Sequence, residues 1–133
     1  MPYEIAFTKQ IEVTYPEQYI NECCVGGDIV ADALLPALRD TYGELTADQE
    51  DWGWFLWFSR SGVNLAVDIF CDDPDAGSFR IHLTSRVRTM LFSTKVSDTP
   101  ELEQLCRLVV SALAAWTGSQ PTVTRLDAKY LPI

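Results

Sequence analysis

The sequence predicts an α+β fold: a mostly antiparallel sheet in β-α-β-β-β-α-β order, with two helices packed on one face. Three observations predict it. Apolar and polar residues alternate at period two in three successive runs between Trp52 and Arg88. Two stretches, 28–42 and 100–116, carry apolar residues at helical spacing. Alternation also marks the first fifteen residues. Each helix has one apolar stripe and the sheet has one clean apolar face, so layering the helices on that face buries all three at once.

The first element is a long strand. Tyr3, Ile5, Phe7, Ile11, Val13 and Tyr15 are apolar, and Glu4, Thr8, Gln10, Glu12 and Thr14 are polar. Lys9 breaks the apolar phase once, which suggests a bend or bulge there, and Pro16 ends the strand. Residues 18–24 admit a helical turn before Gly26 and Gly27 punctuate the chain. Asp28 is expected to N-cap a helix reaching Tyr42, with Val30, Leu34, Leu38 and Tyr42 on one face. Pro36 lies inside it and is expected to kink it or start a second helix, because it removes a backbone donor. Gly43 stops it, and the polar stretch 44–51 reads as a surface loop.

The central meander follows. Residues 52–60 form a strand, with Ser61 and Gly62 as the turn. Val63, Leu65, Val67, Ile69 and Cys71 alternate with Asn64, Ala66, Asp68 and Phe70. The acidic segment 72–77 is a hairpin turn, since Pro74 and Gly77 punctuate it and it lacks the longer oxygen-rich pattern of a calcium loop. Phe79, Ile81, Leu83 and Val87 then oppose Arg80, His82, Thr84, Arg86 and Arg88. Residues 90–95 extend this strand or begin a fourth. Asp98 or Thr99 caps a second helix that opens with Pro100, Glu101 and Glu103, and Gly118 closes it. A short strand over 122–127 completes the order.

Composition narrows the function. At 133 residues the chain is the size of a single domain, and its 47% hydrophobic content suits a packed core. Its net charge of −9 repels phosphate backbones and anionic membrane surfaces, so neither nucleic acid nor membrane is an expected partner. No apolar run approaches a membrane span, and the N-terminus lacks a signal-peptide pattern. Four cysteines without a C-x-x-C spacing and a single histidine exclude a zinc site by pattern, and no cofactor motif is present. Unpaired cysteines fit a reducing cytoplasm. Cys71 and Cys106 read as small buried hydrophobes.

Two features stand out as candidate binding residues. In the aromatic run 52–58, Trp52, Trp54, Leu56 and Phe58 share one predicted face, and Phe55 and Trp57 take the other. Either chain covers that second face, or Phe55 and Trp57 form an exposed patch of the kind that marks interfaces and ligand grooves. The second feature is a cationic stripe: Arg80, His82, Arg86 and Arg88 on one strand face, interrupted by Thr84. Cross-strand pairing with Asn64 and Asp68 on a solvated face is the plain explanation; docking of a carboxylate or phosphate on the arginines is the functional one. His82 beside Asp68 also has the makings of a general base, but no nucleophile motif accompanies it, and a surface histidine is the default.

The small size, acidity, α+β layout and Trp-rich strand resemble small bacterial proteins that bind other proteins, including toxin-neutralising immunity proteins. The resemblance implies a non-enzymatic protein-binding or adaptor domain and transfers no residue roles. Phe55, Trp57, Arg80, His82, Arg86 and Arg88 are the contact residues expected on that reading. The alternatives are a small anionic ligand bound, with acid–base chemistry, in a concavity lined by Trp57, Asp68, Arg80 and His82, and a structural homodimer formed through the open sheet face or edge.

Overall fold

The computed structural model describes residues 1–90 and 93–133. One sheet of seven strands, all pairs antiparallel, carries two helices against it. In chain order the elements are β1 (Tyr3–Thr8), two short 3-10 turns (Pro16–Gln18 and Glu22–Cys24), α1 (Gly27–Tyr42), β2 (Asp48–Glu50) and β3 (Gly53–Arg60). Then come β4 (Val63–Asp73), β5 (Ser78–Arg88), β6 (Thr94–Val96), α2 (Pro100–Thr117) and β7 (Thr122–Arg125). The strands lie side by side as β2-β3-β4-β5-β1-β7, and β6 pairs with the far end of β5. The fold class is the one the sequence predicts.

The core lies between the sheet and the helices. Ile5 and Phe7 of β1, Leu56 of β3, Leu65, Val67 and Ile69 of β4, and Phe79, Ile81 and Leu83 of β5 are buried against Leu34 and Leu38 of α1 and Leu102, Leu105, Val109 and Leu113 of α2. These are the period-two and helical-period positions of the sequence, which is why one face of the sheet is dry. Cys24, Cys71 and Cys106 are buried and Cys23 is exposed. No helix among the described residues is long and apolar enough to cross a membrane.

Several local expectations are corrected. The first strand ends at Thr8, opposite Ser78 where β5 begins, so beyond it no partner backbone continues the ladder on that side. Lys9 turns away, donating its backbone N–H to Gly77 O at 2.8 Å while its ammonium lies over the Trp116 ring. The N-cap of α1 is Gly26 in a left-handed conformation, not Asp28. Asp28 sits in the first turn and accepts from Gln18 Nε2 at 2.9 Å and Tyr19 Oη at 2.6 Å, tying the preceding 3-10 turn to the helix. Pro36 starts no second helix: α1 runs through it to Tyr42, and Pro36 is exposed. Of the two caps expected for α2, Thr99 is the one used, its hydroxyl accepting from Leu102 N at 3.1 Å. Part of the expected loop 44–51 is the edge strand β2. Of the stretch 90–95, Thr94 and Lys95 belong to β6, and Leu91 and Phe92 lie outside the described residues.

One correction bears on function. Trp52 does not share a face with Trp54 and Leu56. It precedes β3, in the tight turn from β2, and its ring packs on Phe55 and Phe70. Gly53 makes this possible: its φ is 155°, and a Cβ there would lie 2.1 Å from the Ile69 carbonyl oxygen. The break in alternation at Gly53 throws Trp52 to the side of the sheet away from the helices.

Candidate functional site

With both helices on one side, the register of the strands decides what the other face displays. Asp48, Phe55, Asp68, His82, Glu4 and Thr124 stand opposite one another as a single row across six strands. The next row is Trp57, Ala66 and Thr84, and beyond it Ser59, Asn64 and Arg86. On the other side of the first row stand Phe70, Arg80 and Ala6. Every candidate binding residue therefore lies on this open face or at its end, including Arg88 two positions along β5 from Arg86.

The aromatic candidates are exposed in part. Trp57 is 60% accessible and Phe55 is half-buried beneath it, with ring centroids 4.4 Å apart. Trp57 is nonetheless fixed: its indole N–H donates to Asp68 Oδ1 at 2.8 Å. Trp52, Phe55, Trp57 and Phe70 form one continuous aromatic cluster. Neither face of β3 is empty of aromatics because one serves the core and the other this cluster.

The cationic stripe divides in two. Arg80 is neutralised: it makes a two-pronged contact with Asp72, Nε to Oδ2 at 2.8 Å and Nη2 to Oδ1 at 3.2 Å, and reaches Glu4 Oε1 at 3.4 Å. A register shift between Phe70 and Asp73 lets the Asp72 carboxylate come round to that side. Arg80 also lies over the Phe70 ring, 4.6 Å from its centroid. Arg86 and Arg88, in contrast, have no ion pair or hydrogen bond with any described residue, and both are exposed. As an anion-binding stripe, then, only the Arg86–Arg88 end is unspent.

His82 is not the surface histidine expected of it. It is 9% accessible, wedged edge-on to Phe70 and stacked parallel to Tyr130 with centroids 5.5 Å apart. Its partner is Glu4 on β1, at 3.0 Å from Nε2, although Asp68 is its register neighbour on β4. The Glu4 carboxyl is held below its ordinary range by the His82 hydrogen bond and by Arg80, whose Nη1 also lies 3.3 Å from His82 Nε2. Asp68 goes the other way: burial raises its carboxyl, against the opposing pull of Trp57, His82 and Arg86.

Two adjoining clefts lie on this face. One, of about 520 Å3, is lined by Trp57, Ala66, Asp68, Thr84, Arg86 and Tyr130 among others. The second, of about 440 Å3, is lined by Trp52, Asp68, Phe70, Arg80, His82 and Tyr130. Asp68 and Tyr130 border both; Trp57 lines the first, and Arg80 and His82 line the second. Among the described residues no group of three or more His, Cys, Asp or Glu side chains is placed to hold a metal ion.

Sequence reasoning missed Glu4, Trp52, Phe70, Asp72 and Tyr130. Glu4 and Phe70 were legible as solvent-phase residues of their strands, but their neighbours depend on register. Tyr130 carried no signal. It is delivered by a C-terminal turn in which Asp127 Oδ1 accepts from the backbone of Lys129 and Leu131, and Tyr130 itself takes a positive φ of 64°.

No protein-family model, curated protein or solved structure matches the chain.

Proposed function

We propose that this protein is a non-enzymatic protein-binding or adaptor domain whose docking face is the open side of the sheet, with Trp57 as the anchor. The observation that carries the reading is the combination of exposure and fixation at Trp57. A large indole that is 60% accessible yet tethered through its N–H loses little conformational freedom when a partner covers it. Tryptophan and arginine are the side chains most enriched where truncation costs binding most, and both are present here with no covering element among the described residues. The unspent cations at the end of β5 flank that anchor, as the aromatic-and-cationic design requires. A cytoplasmic setting, in a bacterial cell, completes the proposal; the buried free thiols of Cys24, Cys71 and Cys106 support a reducing compartment.

The test is site-specific photo-crosslinking in the native host. Benzoylphenylalanine replaces Trp57 in one variant and Asp40, exposed on α1, in another. A discrete heterologous protein adduct at position 57 and none at position 40 supports the reading. Adducts of the chain with itself at position 57 transfer the face to a homodimer. Equal labelling at both positions, or none at 57, overturns it.

A second reading has one observation behind it. Asp68 and His82, register neighbours, border the same cleft of about 440 Å3: a carboxyl raised by burial, and an imidazole in contact with Glu4 through Nε2, with Nδ1 unbonded to any described residue. That arrangement supports binding and acid–base chemistry on a small anionic molecule. Calorimetric titration with small carboxylates and inorganic phosphate, with His82→Gln as control, checks it; heat that persists in the variant removes His82 from the site.

A further inference from the structure

The larger cleft has two chemically distinct ends, and this polarity specifies what it takes. Its floor is Ala66, the smallest side chain in its row, between the indole of Trp57 on β3 and Thr84 and Tyr130 on the other side. A methyl floor between tall walls is an apolar trough. One end is closed by Asp68, whose Oδ1 is already engaged by Trp57. The other end is the row Ser59, Asn64 and Arg86. Ser59 Oγ donates to Asn64 Oδ1 at 2.8 Å, which leaves the Asn64 amide N–H2 without an acceptor among the described residues. Arg86, directly opposite Asn64, has no acceptor among them either. Two unspent donors, one of them a guanidinium, therefore meet at the end of an apolar trough. Arg88 adds a further positive charge on the same strand face.

We propose that this trough receives an acidic side chain of a partner protein, an aspartate or glutamate flanked by apolar residues, with its carboxylate on Arg86 and Asn64 and its apolar neighbour against Trp57. The proposal rests on the docking-face reading above and adds the partner's chemistry to it. The charge argument is local. The chain is strongly acidic overall, so a basic partner is drawn to most of its surface, and an acidic segment finds its complement where cations are left unpaired. Arg80 is excluded as the recognition residue because Asp72 and Glu4 already occupy it. A guanidinium next to an amide donor matches the two oxygens of a carboxylate better than a lysine ammonium does.

The experiment is an NMR titration of the full chain that follows the indole N–H resonances of Trp57 and Trp54. Trp54 donates to Cys24 O at 2.7 Å on the far side of the sheet and serves as the internal report of an intact fold. Three probes are used: a capped pentapeptide alternating leucine and glutamate, its counterpart with lysine in place of glutamate, and sodium phenylacetate. The expected result is a saturable shift of Trp57, with Trp54 unmoved, for the glutamate peptide alone. Arg86→Glu then weakens binding by about tenfold or more, and Arg86→Lys retains part of it. Arg86 is exposed, so both variants keep the Trp54 signal in place. The proposal is overturned if Trp57 does not respond, if Arg86→Glu leaves the affinity unchanged, or if phenylacetate binds as tightly as the peptide, which makes the trough a site for free carboxylic acids. It is also overturned if the lysine peptide binds at Trp57. In that case the docking face stands with a basic partner, whereas failure of the docking face itself shows as absent or non-selective crosslinking at position 57.

Discussion

Trp57 and Asp68 are joined across the β3–β4 pair by an indole N–H···O bond of 2.8 Å, and each explains the other. The bond holds an exposed ring in one orientation. It also gives a partner to a carboxylate that burial would otherwise leave poorly compensated, on a face where it stands between Phe55 and His82. The pair sits on the border between the two clefts, so its state bears on both.

Asp68→Asn tests this pair through pH. Burial raises the Asp68 carboxyl, so the native state binds that proton more readily than the unfolded chain, and this group's contribution to stability falls as pH rises through the raised carboxylate range. An asparagine still accepts from Trp57 and carries no charge. The variant is expected to be more stable than the parent at neutral pH, with the gain shrinking on acidification. Urea unfolding at neutral and acidic pH measures it, and a variant less stable at neutral pH contradicts the burial argument.

Glu4→Gln is expected to behave in the opposite sense. The Glu4 carboxyl is held low by the His82 hydrogen bond and then by Arg80, so its contribution is present above the unfolded carboxylate range and lost as pH falls through the lowered one. A hydrogen bond to a charged group is worth about 1.5–3 kcal/mol, which sets the expected loss at neutral pH. The difference between variant and parent should narrow as pH falls below the ordinary glutamate range and close only below the lowered one.

Gly53→Ala probes the turn that places Trp52. The added Cβ meets the Ile69 carbonyl oxygen at 2.1 Å, on backbone of β4 that has no room to yield without breaking the ladder. A loss of at least about 2 kcal/mol is expected from strain at this φ together with the clash. If β3 yields instead, Trp52 leaves Phe55 and Phe70, and near-ultraviolet circular dichroism of the aromatic cluster reports it.

Thiol reactivity gives an independent check on packing. Cys23 is exposed, whereas Cys24 and Cys106 are buried with their thiols pushed up by burial, and burial pushes Cys71 up to about 12. A disulfide reagent at mildly alkaline pH is expected to label one thiol of the native protein quickly and all four after denaturation. Rapid native labelling of Cys71 would mean that β4 is not covered by the chain as described.

The meander was legible because its cause is local. Val63, Leu65, Val67, Ile69 and Cys71 recur at period two, as do Phe79, Ile81, Leu83 and Val87 with Ser85 the one polar residue in that phase, and a half-buried antiparallel strand needs only that pattern and a turn at each end. The helices were legible for the same reason, down to the Thr99 cap and the Gly118 stop. Where alternation continued without a partner, as from Ile11 to Tyr15, the pattern overshot, because a strand needs a neighbouring backbone as well as a phase.

By itself, then, the sequence determined the α+β order, the two helix stripes and the dry face of the sheet, and period two put Phe55 with Trp57 on one face of β3 and Arg80, His82, Arg86 and Arg88 on one face of β5. Only the tertiary structure decided which of them work together. Placing β1 beside β5 gave His82 to Glu4, the shift before Asp73 gave Arg80 to Asp72, and the C-terminal turn laid Tyr130 over His82. Those contacts are set by register, a strand irregularity and strand order, and no local pattern encodes them. Among the described residues they leave the Arg86 side chain without an ion pair, on the same face as the tethered Trp57.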